Sequence, residues 1–138
     1  MTERLPASLK GLKIVHCFRA PMGGLFRHVR DLVEMQAEAG AMVGVICARE
    51  AGDALSEDRL LALEHHCALG LHRVRMGRLP GLGDIGAIQQ AGAIAGELGA
   101  TILHGHGAKG GLYARLAAGG RGVFRFYTRM AARFITAG

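Results

Sequence analysis

The sequence has no tryptophan, and only 2 tyrosines and 5 phenylalanines among 138 residues. Nucleic-acid platforms stack bases on aromatic side chains set within a stripe of cations. Few aromatics and dispersed arginines exclude that design, so no nucleic-acid partner is expected. The 3 cysteines, Cys17, Cys47 and Cys67, contain no C-x-x-C pair. Such an odd set does not make a disulfide framework; it fits free thiols buried in a reducing, cytoplasmic setting. No run reaches ~18 uninterrupted apolar residues, so no membrane span is expected. Glu3, Arg4, Lys10 and Lys13 interrupt the N-terminus, which does not read as a signal peptide. Acidic residues are also few: 11 against 17 lysines and arginines, with none after Glu97.

What is there is apolar, basic and rich in glycine. Half of the residues are hydrophobic, enough for the core of one domain. The net charge of +6 favours an anionic partner such as a phosphate, a nucleotide or an acidic membrane face. The 22 glycines are scattered rather than repeated.

Strand-like and helix-like segments alternate. Residues 12–18, 41–48, 71–76, 100–105 and 122–128 read as strands, the third as an exposed or edge strand because apolar and basic residues alternate. Residues 25–40, 56–68, 85–99 and 108–120 read as helices, with Ser56 as an N-cap. The order β-α-β-α-β-α-β-α-β predicts an α/β chain: a Rossmann-like, doubly wound, mostly parallel open sheet of about five strands. Ligands of such sheets bind outside the carboxyl ends of the strands, near the point where strand order reverses.

Two loops at those ends stand out. FRAPMGGLFRHVRD, residues 18–31, puts Gly23 and Gly24 before the first helix and Arg27, His28 and Arg30 in its opening turns. Cations there oppose the helix dipole, and a bound anion would remove the conflict. A Gly-Gly turn followed by solvated arginines would leave the same pattern. HGHGAKGG, residues 104–111, fits G-x-G-x-x-G between a strand and a helix. The dinucleotide fingerprint nevertheless fails, because no acid follows to hold a ribose and the motif comes after the fourth strand. A P-loop fails too, since no G-K-[ST] follows. What survives is a glycine-lined turn in which His106, Gly107, Lys109 and Gly110 form a pocket wall for an anionic or polyhydroxyl ligand. His16 and His104 read as hydrogen-bonded core or rim residues. His65 and His66 are adjacent on a helix, diverge, and make no chelate; no metal site is expected.

Taken together, the loops resemble a known family. KIVHCFRAPMGGLFRHVRDLVEMQAEAGAMVGVICA, residues 13–48, is similar to the start of retaining GT-B glycosyltransferases of family 4: a Gly-Gly loop after the first strand, then H-V-x-x-L. The family's "G-H-x-V" phrase is here Gly40-Ala41-Met42-Val43, without its histidine. TILHGHGAKGGLYARLAA, residues 101–118, resembles the segment D-h-h-H-x-H-G-x-x-x-G, with Thr101 in the place of the aspartate. The resemblance spans roughly residues 12–128.

It implies the N-terminal, acceptor-side domain of a two-domain enzyme that moves a sugar from a nucleotide-sugar to a glycan or lipid-linked acceptor in bacterial surface or exopolysaccharide synthesis. It implies no cofactor or metal in this domain, substrate-binding roles for Gly23, Gly24, Arg27, His106, Gly107, Lys109 and Gly110, and a cytoplasmic location, with peripheral membrane association at the inner face. Residues 1–11 read as a lead and 12–128 as the domain, with the donor domain absent; alone, the fragment would be inactive and prone to self-association through its interdomain face. Residues 129–138 read as an aberrant tail: deleting one C from codons for T-P-H-G-G-S-L-H-Y, the family's usual phrase, yields T-R-M-A-A-R-F-I-T, the sequence of Thr128 to Thr136. The match reads as a frameshifted, prematurely ended copy of a longer gene; a genuine short chain whose basic amphipathic tail caps the sheet is the alternative. The residues alone also fit a stand-alone Rossmann-type module that binds an anion or nucleotide.

Overall fold

A computed structural model describes residues 8–20, 23–49, 54–77, 81–117 and 123–128. The tail at 129–138 and most of the lead lie outside the described residues. The elements run β1 (Lys13–Cys17), α1 (Gly23–Glu38), β2 (Met42–Ala48), α2 (Ala54–Glu64), β3 (Gly70–Val74), α3 (Gly83–Glu97), β4 (Ile102–His106), α4 (Gly107–Leu116) and β5 (Phe124–Thr128). All four strand pairings are parallel and the sheet order is β3-β2-β1-β4-β5. The expected fold class is therefore observed, with order reversing between β1 and β4 and β3 at an edge.

Alternation along the strands divides the core into two layers. Ile14, Phe18, Val43, Val45 and Cys47 pack with Phe26, Val29 and Val33 of α1 and Leu60 and Leu63 of α2. Val15, Cys17, Ile46, Val74 and Leu103 pack with Ala87, Ala91 and Ala95 of α3 and Tyr113 and Ala114 of α4. Helices thus cover both faces, as right-handed crossovers require. Each large apolar side chain so buried stabilises the fold by about 1.5–3 kcal/mol. All three cysteines are buried free thiols. Burial pushes the Cys17 thiol up to about 12, which keeps it protonated and unreactive.

All four helices start one or two residues earlier than the sequence reading, and at two of them this changes a residue's place. Helix α1 begins at Gly23, so both glycines lie inside its first turn rather than before it. Helix α2 begins at Ala54, which places the buried Ser56 within the first turn rather than at the N-cap position.

The second Gly-rich turn is a packing device first. Gly107 has φ +76°, a conformation that favours glycine, and it opens α4 directly from the last residue of β4. A Cβ on Gly110 would collide with the carbonyl of Cys17, and a Cβ on Gly105 with the backbone of Gly110. Helix α4 therefore lies nearly on the backbone of β1 and β4. The substitution Gly110→Ala should destabilise the domain by about 1–3 kcal/mol or more through overpacking. Gly86→Ala, where an added Cβ meets nothing within 4 Å, should instead stabilise α3 by about 0.5–1 kcal/mol. Urea unfolding of the two variants beside the parent checks both signs.

Candidate functional site

Because β1 and β4 are parallel and paired (Cys17 against Gly105), the chain leaves both at the same edge of the sheet. Gly23 and Gly24 therefore share that edge with Gly105 and Gly107. A cleft of about 400 Å³ opens at the start of α1, lined by Gly23, Gly24, Phe26, Arg27, Arg30 and Arg59. No acidic residue occupies the first turn of α1. The N-terminal N–H groups and three guanidinium-bearing side chains thus converge on one space, an arrangement that attracts anions. The paired strands β1 and β2 bring α2 alongside α1, and α2 supplies Arg59. Nothing in the sequence joined Arg59 to the Gly-Gly loop. Arg19, just past β1, has its Nε buried without a hydrogen-bond partner.

The other expected wall turns inward. Lys109 is buried, and its Nζ donates to both carboxylate oxygens of Asp84 at 2.8 Å. Tyr113 donates its hydroxyl to Asp84 Oδ1 at 2.6 Å, and the Gly81 N–H donates to Oδ2 at 3.2 Å. The Lys109 ammonium and the Tyr113 hydroxyl hold the Asp84 carboxyl below its ordinary value. The charge read as facing a ligand thus serves to tie α4 to the start of α3. Gly110 is likewise buried under Cys17. The reason in both cases is the close seating of α4, which directs its first turn at the sheet and at α3 rather than at solvent. Breaking a buried pair on one side leaves an uncompensated charge, so Asp84→Ala should cost about 3–5 kcal/mol in urea unfolding, whereas the double change Asp84→Leu with Lys109→Met should recover most of it.

His106 ends β4 and is 1% exposed. It belongs to a histidine cluster that the sequence reading did not assemble. His16 pairs in register with His104 across β1 and β4, and His106 lies two residues further along the same face. The His104 and His106 rings stack at 4.0 Å between centroids. His16 lies 5.3 Å from His104 and 5.1 Å from His106, and His28 of α1 lies 5.7 Å from His106. His16 Nε2 meets Gln36 Oε1 at 2.8 Å, and His16 Nδ1 meets His106 Nε2 at 2.9 Å. An amide oxygen accepts, so His16 carries its proton on Nε2 and offers a lone pair at Nδ1 to the N–H of His106. His106 Nδ1 is then a buried lone pair with no partner. The H-x-H spacing was a usable signal for two members; the third depended on strand register.

Burial, opposed in part by the Gln36 hydrogen bond, lowers His16 from 6.5 to about 4. Burial, reinforced by His16, His104 and His28, takes His106 to about 2, and burial lowers His104 as well. The three imidazoles are therefore neutral in the fold at neutral pH. The unfolded chain takes protons below about pH 6.5, so stability is full above that value and falls as pH drops toward 4. His16 alone, fully buried, contributes about 3 kcal/mol to that loss. In chelator-containing buffer, urea midpoints should be level above about pH 7 and fall steeply between about pH 6 and 4. A flat profile across that window contradicts the cluster's burial.

Against known proteins, the family model described as glycosyl transferase 4-like domain matches residues 23–133. That is most of the chain. The chain belongs to the glycosyl transferase 4-like domain family. A search of curated proteins finds no match. Among solved structures, the crystal structure of Acinetobacter baumannii MurG is similar, with a TM-score of 0.55 and 18% identity, over 91% of this chain and 39% of that one. At that identity the likeness speaks for the fold. The expected Rossmann-like half of a GT-B architecture is observed, and the chain spans well under half of the MurG chain. No helix among the described residues is long and apolar enough to cross a membrane.

Proposed function

We propose that this chain is the N-terminal, acceptor-side half of a glycosyltransferase that moves a sugar from a nucleotide-sugar to a glycan or lipid-linked acceptor, and that it does not turn over alone. The observation that carries the reading is the cleft at the start of α1. Backbone free of side chains at Gly23 and Gly24, the N–H groups of α1 and the guanidiniums of Arg27, Arg30 and Arg59 all border one space beside the strand-order reversal. Fixed dipoles and cations of this kind bind phosphate oxygens or the negative charge that develops on a departing diphosphate. His106 and Gly107 bound the same edge. His106, neutral and buried, acts by shape and as a hydrogen-bonding ring rather than as a charge.

Residues 12–128 form the domain in this reading, residues 129–138 are an aberrant tail, and a donor-side domain belongs to the complete enzyme. Leu82 and Ile85, 87% and 59% exposed near the start of α3 on the same edge, suit a face that a second domain or a second copy covers. Bacterial surface polysaccharide synthesis at the inner face of the membrane is the setting this reading favours, with the basic cleft meeting an anionic acceptor. The experiment is titration of the chain with UDP, GDP and inorganic pyrophosphate by calorimetry, beside an assay for nucleotide-sugar hydrolysis. Pyrophosphate should bind weakly, and the double change Arg27→Ala with Arg59→Ala should weaken it at least about tenfold, the loss of one charge-assisted contact. Turnover of UDP- or GDP-sugars by these 138 residues overturns the reading. Tight nucleotide binding without a second domain would favour a stand-alone anion-binding module instead.

A further inference from the structure

The histidine set His16, His104 and His106 shares no residue with the lining of the cleft, and the proposed reaction uses at most one of its members. His16, His104 and His106 each offer one ring nitrogen, and the three nitrogens lie within 4.8 Å of one another. Zinc-class ions bind imidazole nitrogen at about 2.0–2.1 Å, which sets tetrahedral nitrogens about 3.3 Å apart; side-chain shifts of about 1 Å or less reach that geometry. Three further observations point the same way. All three rings project from one face of two paired strands, a rigid base for a ligand set. His16 already gives its Nε2 to the oxygen of Gln36 at 2.8 Å, the outer partner that orients a ligating imidazole. His16 Nδ1 and His106 Nε2 already stand 2.9 Å apart, close to the spacing that two nitrogens on one ion require. His16 is 0% exposed while His104 is only half-buried, so an ion has a way in from the His104 side.

We infer that His16, His104 and His106 form a binding site for a divalent transition-metal ion of the zinc class, with Gln36 as its outer support. The chemistry is coordination only: three imidazole lone pairs go to the ion, and the ring protons move to the outward nitrogens. All-imidazole sets suit zinc, cobalt, nickel and copper, and exclude magnesium and calcium, which require oxygen donors. His28, 5.7 Å from His106 between ring centroids, stands beside the set and can supply a fourth nitrogen or hold a water. The ion would join β1 to β4 and fix α1 over them. That role is separate from anion binding at the arginines, so either can fail without the other.

The test uses the untagged chain, freed of metal, titrated with Zn²⁺ by calorimetry and with Co²⁺ by visible absorption. One ion per chain should bind, the thermal midpoint should rise with Zn²⁺, and Mg²⁺ should do nothing. His104→Gln and His106→Gln should abolish uptake, Gln36→Leu should weaken it about 10–100-fold, and His66→Gln on the surface should leave it unchanged. Should the buried variants fail to fold, X-ray absorption of the Co²⁺-loaded parent decides: three imidazole nitrogens at about 2.0–2.1 Å support the site. No stoichiometric uptake, uptake unaffected by His104→Gln in a folded protein, or an oxygen-only shell overturns it.

Discussion

Strands β1 and β4 sit side by side although Lys13 and Thr101 are 88 residues apart, and their junction begins with a clasp. The Lys13 N–H donates to the Thr101 hydroxyl at 2.9 Å, and that hydroxyl donates back to the Lys13 carbonyl at 3.0 Å. The Thr101 N–H reaches the same carbonyl at 2.8 Å. From there the register runs Ile14 to Ile102, Val15 to Leu103, His16 to His104 and Cys17 to Gly105. Each consequence at the carboxyl edge follows from that register. It brings the α1 and α4 starts to one edge, gathers three histidines on one face, and seats α4 where only glycine fits. A slip of one residue would turn the histidines to the α3 and α4 face.

Charge in this edge is divided by depth. Inside, Lys109 is neutralised by Asp84, with Tyr113 and the Gly81 N–H completing the carboxylate's partners. A buried carboxylate so fully bonded tolerates its desolvation, where an isolated one would not. Outside, Arg27, Arg30 and Arg59 line the cleft at the start of α1, beside a helix dipole of the same sign, with Asp31 3.5 Å from Arg30 on its outer side. The first arrangement is a structural tie, complete without a ligand. The second opens on a cleft and carries a cationic excess beside a helix N-terminus, and so carries the functional reading.

Much of the fold was legible because its signals are local. Runs such as KIVHC and MVGVICA read as buried strands, and their alternation with helices of ordinary length leaves few topologies once crossovers are right-handed. Gly23, Gly24 and Arg27 stood out as candidates because a Gly-Gly pair followed by cations is itself the anomaly, and they line one cleft in the structure. Lys109 was misread for a physical reason: its partner, Asp84, lies 25 residues earlier on another helix, and a lysine among glycines looks solvent-facing until that partner is in view. On the same ground Arg59 was not joined to the Gly-Gly loop, nor His16, read only as a hydrogen-bonded core or rim residue, to its companions. Their roles depend on which helix lies beside α1 and on which residue of β1 faces His104, and both are facts of packing and register.

The G-x-G-x-x-G spacing at 105–110 shows how one local pattern serves without its usual ligand. In a dinucleotide fold the first two glycines admit a pyrophosphate and the third lets a helix approach its strand. Here Gly107 supplies the sharp entry to α4, with φ +76°, and Gly110 the close approach to Cys17. The approach to Gly107 is already taken by Leu25 of α1, whose Cδ1 would stand 2.7 Å from a Cβ there. The geometry of the motif is thus retained for packing, and anion attraction moves to the neighbouring helix start. Because α1 and α4 begin at one edge, that transfer leaves the cleft beside the strand-order reversal. The same loop pair can therefore be rigid on one side and receptive on the other.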